Sequence, residues 1–130
     1  VLIVGTDNPH IYEAVIKSHG SIPKSHIKVS PTEAELCKYF SNVFNAMRIV
    51  FANGMYEVST KLGANYQNVF QAITQKSTVS TDYLRCGSQY RGYSGSCLPK
   101  DALAFSNLIK KLNLDIDLFE SIIKDNEKYK

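Results

Sequence analysis

The stretch Gly87-Ser88-Gln89-Tyr90-Arg91-Gly92-Tyr93-Ser94-Gly95-Ser96-Cys97-Leu98-Pro99-Lys100-Asp101 holds the densest run of residues able to do chemistry. Its small residues, Gly92, Ser94 and Gly95 among them, let backbone approach a ligand closely. Tyr90, Arg91 and Tyr93 offer stacking and anion contacts, and the planar fork of Arg91 suits phosphate. Pro99 marks the first turn of a following helix, which puts Cys97 just outside that helix's positive end. With Lys100 nearby, this position favours the thiolate, the nucleophilic form of the side chain. An inert buried cysteine is the other reading of the same residue.

A second polar group precedes it. Lys38, Asn42 and Asn45 fall at i, i+4 and i+7, within about 60° of one another on a helix. They form a polar stripe on an otherwise apolar element. Two readings stand side by side. In one, Lys38 snorkels near the helix start and Asn42 bonds a loop carbonyl. In the other, the stripe faces a polar ligand site, where a buried amine and amide would find partners. Metal chemistry is not expected. Cys37, Cys86 and Cys97 contain no CxxC pair, and with His10, His19 and His26 they do not supply a zinc ligand set. The histidines read as surface or linker residues.

The elements that must position these residues are mostly helical. Ser30-Pro31-Thr32-Glu33 reads as a capping box with proline in the first turn. From there a helical pattern continues to Lys61-Leu62, and Gly63 offers a stop. That is a helix of about 30 residues and roughly 45 Å. Between Val43 and Met55 it is apolar nearly all round, with Val43, Phe44, Ala46, Met47, Ile49, Val50, Phe51, Ala52 and Met55. Such a helix is buried on all sides, and a small domain struggles to surround it, so a second subunit is the expected cover. Tyr66–Thr74 reads as a short helix with Val69, Phe70, Ala72 and Ile73 inward. Residues 77–95 read as a long functional loop. Two more helices are expected. One runs over about Pro99–Leu112 with Leu103, Ala104, Leu108 and Ile109 on one face. The other runs over about Asp115–Lys128 with Ile116, Phe119, Ile122 and Ile123 buried. Before all of these, Val1–Val4 and Ile27–Val29 read as strands flanking a helix that starts at Asp7-Asn8-Pro9. Ile11, Ala14, Val15 and Ile16 form that helix's apolar side. The expected fold class is therefore mainly α, a long central helix with shorter ones and a small α/β remnant at the N-terminus.

Composition bounds the function. With 130 residues, 44% hydrophobic and 21% charged, the chain suits one ordinary domain with a packed core. A net charge of +3, scattered along the sequence, is too mild to imply nucleic acid as a main partner. No apolar run approaches the roughly 20 residues of a membrane span, so no membrane partner is expected. Sparse cysteines point to a reducing compartment. The chain opens on Val1 with no signal peptide, inside what reads as a strand, so a piece of a longer chain is expected.

Two ordered motifs carry a family resemblance. Ala34-Glu35-Leu36-Cys37-Lys38-Tyr39-Phe40-Ser41-Asn42-Val43-Phe44-Asn45-Ala46 is followed by Gly95-Ser96-Cys97-Leu98-Pro99-Lys100-Asp101. In order and distance they resemble the helix motif (AELxKYxxNxFxAxxI) and cysteine motif (GGxCxPKD) of the UDP-glucose/GDP-mannose dehydrogenase family. Ser94 stands where many members have the first glycine of the second motif. The resemblance implies that residues 1–30 are the tail of an NAD-binding Rossmann domain. Residues 31–130 would be a central helical domain, 6-phosphogluconate dehydrogenase C-terminal-like, which dimerises through the 31–62 helix.

The resemblance also implies a cytoplasmic enzyme that oxidises a nucleotide-sugar alcohol to a carboxylate, with NAD as the cofactor, reduced twice per turnover. Cys97 would be the nucleophile, forming a thiohemiacetal and then a thioester. Lys38 would stabilise oxyanion charge and help activate water, Asn42 would orient substrate, and Asp101 would assist the water in hydrolysis. Lys100 would lie near the cofactor. Tyr90, Arg91, Gly92, Tyr93, Ser94 and Gly95 would form the substrate-binding loop. The GxGxxG loop, the upstream glutamate and the C-terminal nucleotide-binding domain of the family have no counterpart here, so the chain alone is expected to be inactive. GDP-mannose or a UDP-N-acetyl-hexosamine are alternative substrates. A different class, a helical dimerisation module without chemistry, is the second hypothesis.

Overall fold

The structure, a computed structural model, describes residues 1–129. It divides into two compact units with the boundary between Ser41 and Asn42. The first contains β1 (Leu2–Gly5), α1 (Pro9–His19), β2 (His26–Val29) and the start of α2 (Pro31–Lys61). The strands pair in parallel, with Leu2 opposite His26 and Gly5 opposite Val29. Parallel strands need a crossover, and α1 supplies it. Asn8 caps α1 by accepting from the amides of His10 and Ile11, with Pro9 in the first turn. No residue of α1 is buried, and Ile11 and Ala14 are exposed, so the expected apolar side is covered only at Val15 and Ile16, and partly.

The capping box forms as read. Ser30 N–H donates to Glu33 Oε2 at 2.7 Å, and Glu33 N–H donates to Ser30 Oγ at 3.3 Å. Both orphan donors are satisfied reciprocally, which fixes the start of α2.

The second unit contains the rest of α2, α3 (Tyr66–Ile73), the irregular segment 74–97, α4 (Leu98–Lys111) and α5 (Leu118–Glu127). One core cluster joins Ala46, Val50, Tyr93, Ala102 and Ile122, with Met47, Ile49, Leu98, Phe119, Ile123 and Tyr129 packed against it. A second joins Ala52, Tyr66, Phe70 and Cys86, with Met55, Tyr56 and Leu84. Phe105 and Phe119 meet edge to face at 4.8 Å, tying α4 to α5, a favoured aromatic geometry. Lys110 and Glu120 add an ion pair at 2.7 Å between the same helices.

Several helix faces differ from the sequence reading. On α2, burial on all sides does not occur within one chain: Val43, Ala46, Val50 and Ala52 are buried, yet Phe44 is 42% and Phe51 62% exposed. On α3 the inward residues are Tyr66 and Phe70, whereas Val69, Ala72 and Ile73 are exposed. An eight-residue helix lying on one surface buries only a single i, i+4 pair. Leu103 on α4 is exposed, and the buried positions are Asp101, Ala102, Ser106 and Ile109. The α4 stripe is thus rotated toward small and polar residues, with Ala102 in the cluster that holds Ala46 and Val50 of α2. Ile116 precedes α5 and is exposed, while the buried positions of α5 are Ile122 and Asn126.

Candidate functional site

Cys97 sits at the N-cap of α4 and is exposed. Its carbonyl accepts from Asp101 N–H at 2.9 Å, which closes the first helical turn. Its Sγ lies 3.7 Å from Ser96 Oγ and makes no capping bond to the helix amides. Gly95 enters the turn at φ +83°, a left-handed conformation that glycine adopts without cost. The sequence thus forms a strained-free approach to a helix start, with a thiol presented at the positive end of a helix dipole.

One turn into α4, Asp101 is 2% exposed. Its Oδ2 accepts from Asn42 Nδ2 of α2 at 2.6 Å. Asn42 therefore bonds a buried carboxylate of α4, and the expectation of a loop carbonyl as its partner is corrected. A buried charge needs such a donor, and hydrogen bonds to charged groups are the stronger kind. Lys100 lies with Nζ 3.9 Å from Asp101 Oδ1 and is largely exposed. The pair Asn42–Asp101 brings residues 59 positions apart into direct contact, with Cys97 four residues before Asp101.

Lys38 is on the first-unit part of α2, exposed, with Nζ 3.8 Å from Glu35 Oε2 and 5.4 Å from the Tyr39 ring centroid. Asn45 accepts from Arg48. Arg48 lies over the rings of Phe44 and Tyr83, at 4.8 and 5.1 Å.

The predicted binding loop splits into inner and outer residues. Tyr90 and Ser94 are exposed, and Tyr90, Arg91 and Gly92 line a cavity of about 430 Å³ with Ile49, Thr81, Asp82, Tyr83 and Arg85. Cys97, Asn42 and Asp101 do not line it. Arg91 is ion-paired with Glu57 and stacks over Tyr56 and Tyr129, so its charge is already matched within the chain. Tyr93 is 4% exposed and belongs to the core. Burial raises its phenol pKa, with the Glu127 charge adding to the effect. Burial also pushes the Cys86 thiol up, against the opposing charge of Arg91. Cys86 is thus held as a thiol in the second core cluster, while Cys37 is half-buried rather than core.

Sequence reasoning missed two buried amides, Asn53 and Asn126, each 1% exposed. Asn53 sits inside the apolar run of α2, where an unexplained amide was the available signal. Asn126 stands in Asp125-Asn126-Glu127, a run that reads as solvated surface. Among the described residues no group of His, Cys, Asp and Glu could hold a metal ion, and no helix is long and apolar enough to cross a membrane.

Residues 32–128 match the model of the UDP-glucose/GDP-mannose dehydrogenase family, central domain. A UDP-glucose 6-dehydrogenase of Rickettsia prowazekii is 32% identical over 129 residues, covering 97% of this chain and 29% of the relative. The UDP-glucose 6-dehydrogenase TuaD of Bacillus subtilis is 28% identical over 126 residues, covering 97% of this chain and 27% of that protein. A solved UDP-glucose dehydrogenase from Pyrobaculum islandicum superposes with a TM-score of 0.89 at 30% identity, over 97% of this chain and 28% of that one. The chain thus spans under a third of the length of the relatives it matches. Motif order, helical architecture and these matches agree, and the chain belongs to the UDP-glucose/GDP-mannose dehydrogenase family, matching its central domain.

Proposed function

We propose that this chain is the central part of a nucleotide-sugar 6-dehydrogenase that oxidises a UDP-sugar alcohol to the carboxylate, with NAD as hydride acceptor. The observation that carries the reading is the 2.6 Å hydrogen bond from half-buried Asn42 to buried Asp101. It joins the helix motif to the cysteine motif, with Cys97 exposed at the start of the same helix as Asp101. In this reading residues 1–30 are the tail of the nucleotide-binding domain and 31–130 the central helical domain. GDP-mannose and UDP-N-acetyl-hexosamines are the competing substrates.

The residues present do not fit a dinucleotide. The chain has no GxGxxG loop, and the amides at the start of α1 are already taken by the Asn8 side chain. Backbone amides at an open helix start are what pyrophosphate needs. The chain alone is therefore inactive and binds NAD no better than an unrelated protein.

The chain's own residues have defined tasks. The Cys97 thiolate adds to the carbonyl carbon of the aldehyde, the C–S bond forming as the π pair moves to oxygen and takes a proton. In the full-length enzyme NAD would be the acceptor that takes the hydride and so turns this adduct into the thioester, and the task of Cys97 is to hold the carbon through its C–S bond meanwhile. Water then adds to the thioester, the C–S bond breaks, and the thiolate is restored with the carboxylate as product. Lys38 supplies positive charge where the sugar oxygen becomes negative, a task worth most in the transition state. Asn42 orients substrate, Asp101 assists the attacking water, and Lys100 stands on the cofactor side. Tyr90, Arg91, Gly92, Tyr93, Ser94 and Gly95 form the substrate loop, with Arg91 and Tyr93 shaping it from within. A homodimer through the 31–62 helix covers Phe44 and Phe51, which one chain leaves exposed.

The test is Cys97→Ser in the full-length enzyme, with NADH release and acid product quantified from UDP-glucose. Net oxidation to the acid should be lost, because serine is far less ionised at neutral pH. Full two-step turnover by Cys97→Ser would refute the covalent route.

A further inference from the structure

The loop that leads into Cys97 is held at one point by buried side chains from two helices. Asn126 of α5 accepts from Tyr93 N–H through Oδ1 at 2.6 Å and donates through Nδ2 to the Tyr93 carbonyl at 3.0 Å. Asn53 of α2 accepts from Gly92 N–H at 3.3 Å and donates to the Ile49 carbonyl at 2.8 Å. Gly92 takes φ +57°, and a Cβ there would lie 2.8 Å from Asn126 Oδ1. The close approach therefore depends on glycine.

A primary amide buried in an apolar cluster costs free energy unless both of its ends are paired. Asn126 pairs both ends with one residue's N–H and C=O, as a neighbouring strand would. A leucine would fill the same space and serve the core better if volume were the only requirement. The amide at this position fits a backbone that must be held in one place. We propose that Asn126 is a positioning residue which, with Asn53, latches the loop at Gly92-Tyr93 and so fixes the place of Cys97 four residues on.

The functional meaning of the latch rests on the reading of Cys97 as the nucleophile, whereas the latch itself is a statement about backbone. The charged groups around it are accounted for. Arg91 and Glu57 pair with each other. Asp125 pairs with Lys128 on α5, Glu127 faces the Tyr93 phenol, and Asp101 of α4 is bonded to Asn42.

Amide exchange in the 130-residue chain tests it, comparing Tyr93 with the α2 core amides of Ala46 and Val50. Asn126→Leu removes both hydrogen bonds and should lower Tyr93 protection about tenfold or more at pH 4.5 and pH 8, with the α2 amides unchanged. Asn126→Asp should lower it at pH 8, where a carboxylate oxygen faces the Tyr93 carbonyl. At pH 4.5 it should recover to within about threefold, because the protonated carboxyl again donates and accepts. Iodoacetamide labelling of Cys97 at pH 8 should slow at least about threefold in Asn126→Leu, as the side chain leaves its place at the helix start. Five results would overturn the latch. These are an unprotected Tyr93 in the parent, protection kept in Asn126→Leu, no recovery of Asn126→Asp at pH 4.5, equal loss at the α2 amides, or an unchanged Cys97 rate. The nucleophile reading stands or falls separately, on Cys97→Ser turnover.

Discussion

Asn42→Ala is the most direct probe of how the two motifs are joined. The Asn42 amide donates to a carboxylate that is 2% exposed, at 2.6 Å. Removing that donor leaves Asp101, itself almost wholly out of contact with solvent, short of one partner. Hydrogen bonds to charged groups are worth about 1.5–3 kcal/mol, against about 1 for neutral pairs. Lys100 offers little compensation, since its side chain is 67% exposed and its ammonium lies 3.9 Å from the other carboxylate oxygen. The direct effect should therefore be a loss of about 2 kcal/mol, which for a domain this size moves the urea midpoint by about 1 M. Because the single change also removes packing, the clean quantity is the coupling in a cycle of Asn42→Ala, Asp101→Ala and the double variant. Urea denaturation followed by circular dichroism at pH 7 gives all four stabilities. A coupling of about 1.5–3 kcal/mol is expected. A coupling below about 0.5 kcal/mol, the usual scatter of independent sites, would show that the contact does not join the motifs energetically.

Three further outcomes follow from the same geometry. Light scattering at micromolar concentration should give twice the chain mass, and Phe51→Glu should give one chain mass with unchanged helicity, since Phe51 is 62% exposed on α2; a monomeric parent chain would remove the dimer. Glu120 is held down to about 2 by its hydrogen bonds to Lys110 and then Lys124, from an ordinary 4.5. A depressed carboxylate stabilises above its unfolded value, so this contribution should be complete above about pH 4.5 and fade as pH falls through about 2. The Tm difference between Glu120→Gln and parent should shrink over that window, and a constant difference would contradict it. Native iodoacetamide labelling with peptide mapping should modify exposed Cys97 first, half-buried Cys37 more slowly and Cys86 last, because Cys86 lies in a core cluster with Tyr66 and Phe70; equal rates for Cys86 and Cys97 would count against the packing described.

Local signals in the sequence were enough to place the elements. Ser30 and Glu33 satisfy each other's amides, Asn8 and Pro9 start α1, and Pro99 sets the turn that leaves Cys97 at a helix start. Each depends on residues within one helical turn, so their physics is written in consecutive letters. The two motifs likewise named the family, because order and spacing are sequence properties. Which face of each helix is buried was decided by the tertiary structure. Leu103 is exposed while Asp101 and Ser106 are buried, as Ala102 enters one cluster with Ala46 of α2 and Asp101 takes the Asn42 amide, and no periodicity of α4 alone contains those neighbours. Asn126, two residues from the end of a charged run, is buried because the Tyr93 backbone happens to offer it a donor and an acceptor. The sequence by itself determined the elements and their caps. Only packing between distant segments decided which polar groups lose water, and a group that loses water must take whatever partner the fold brings.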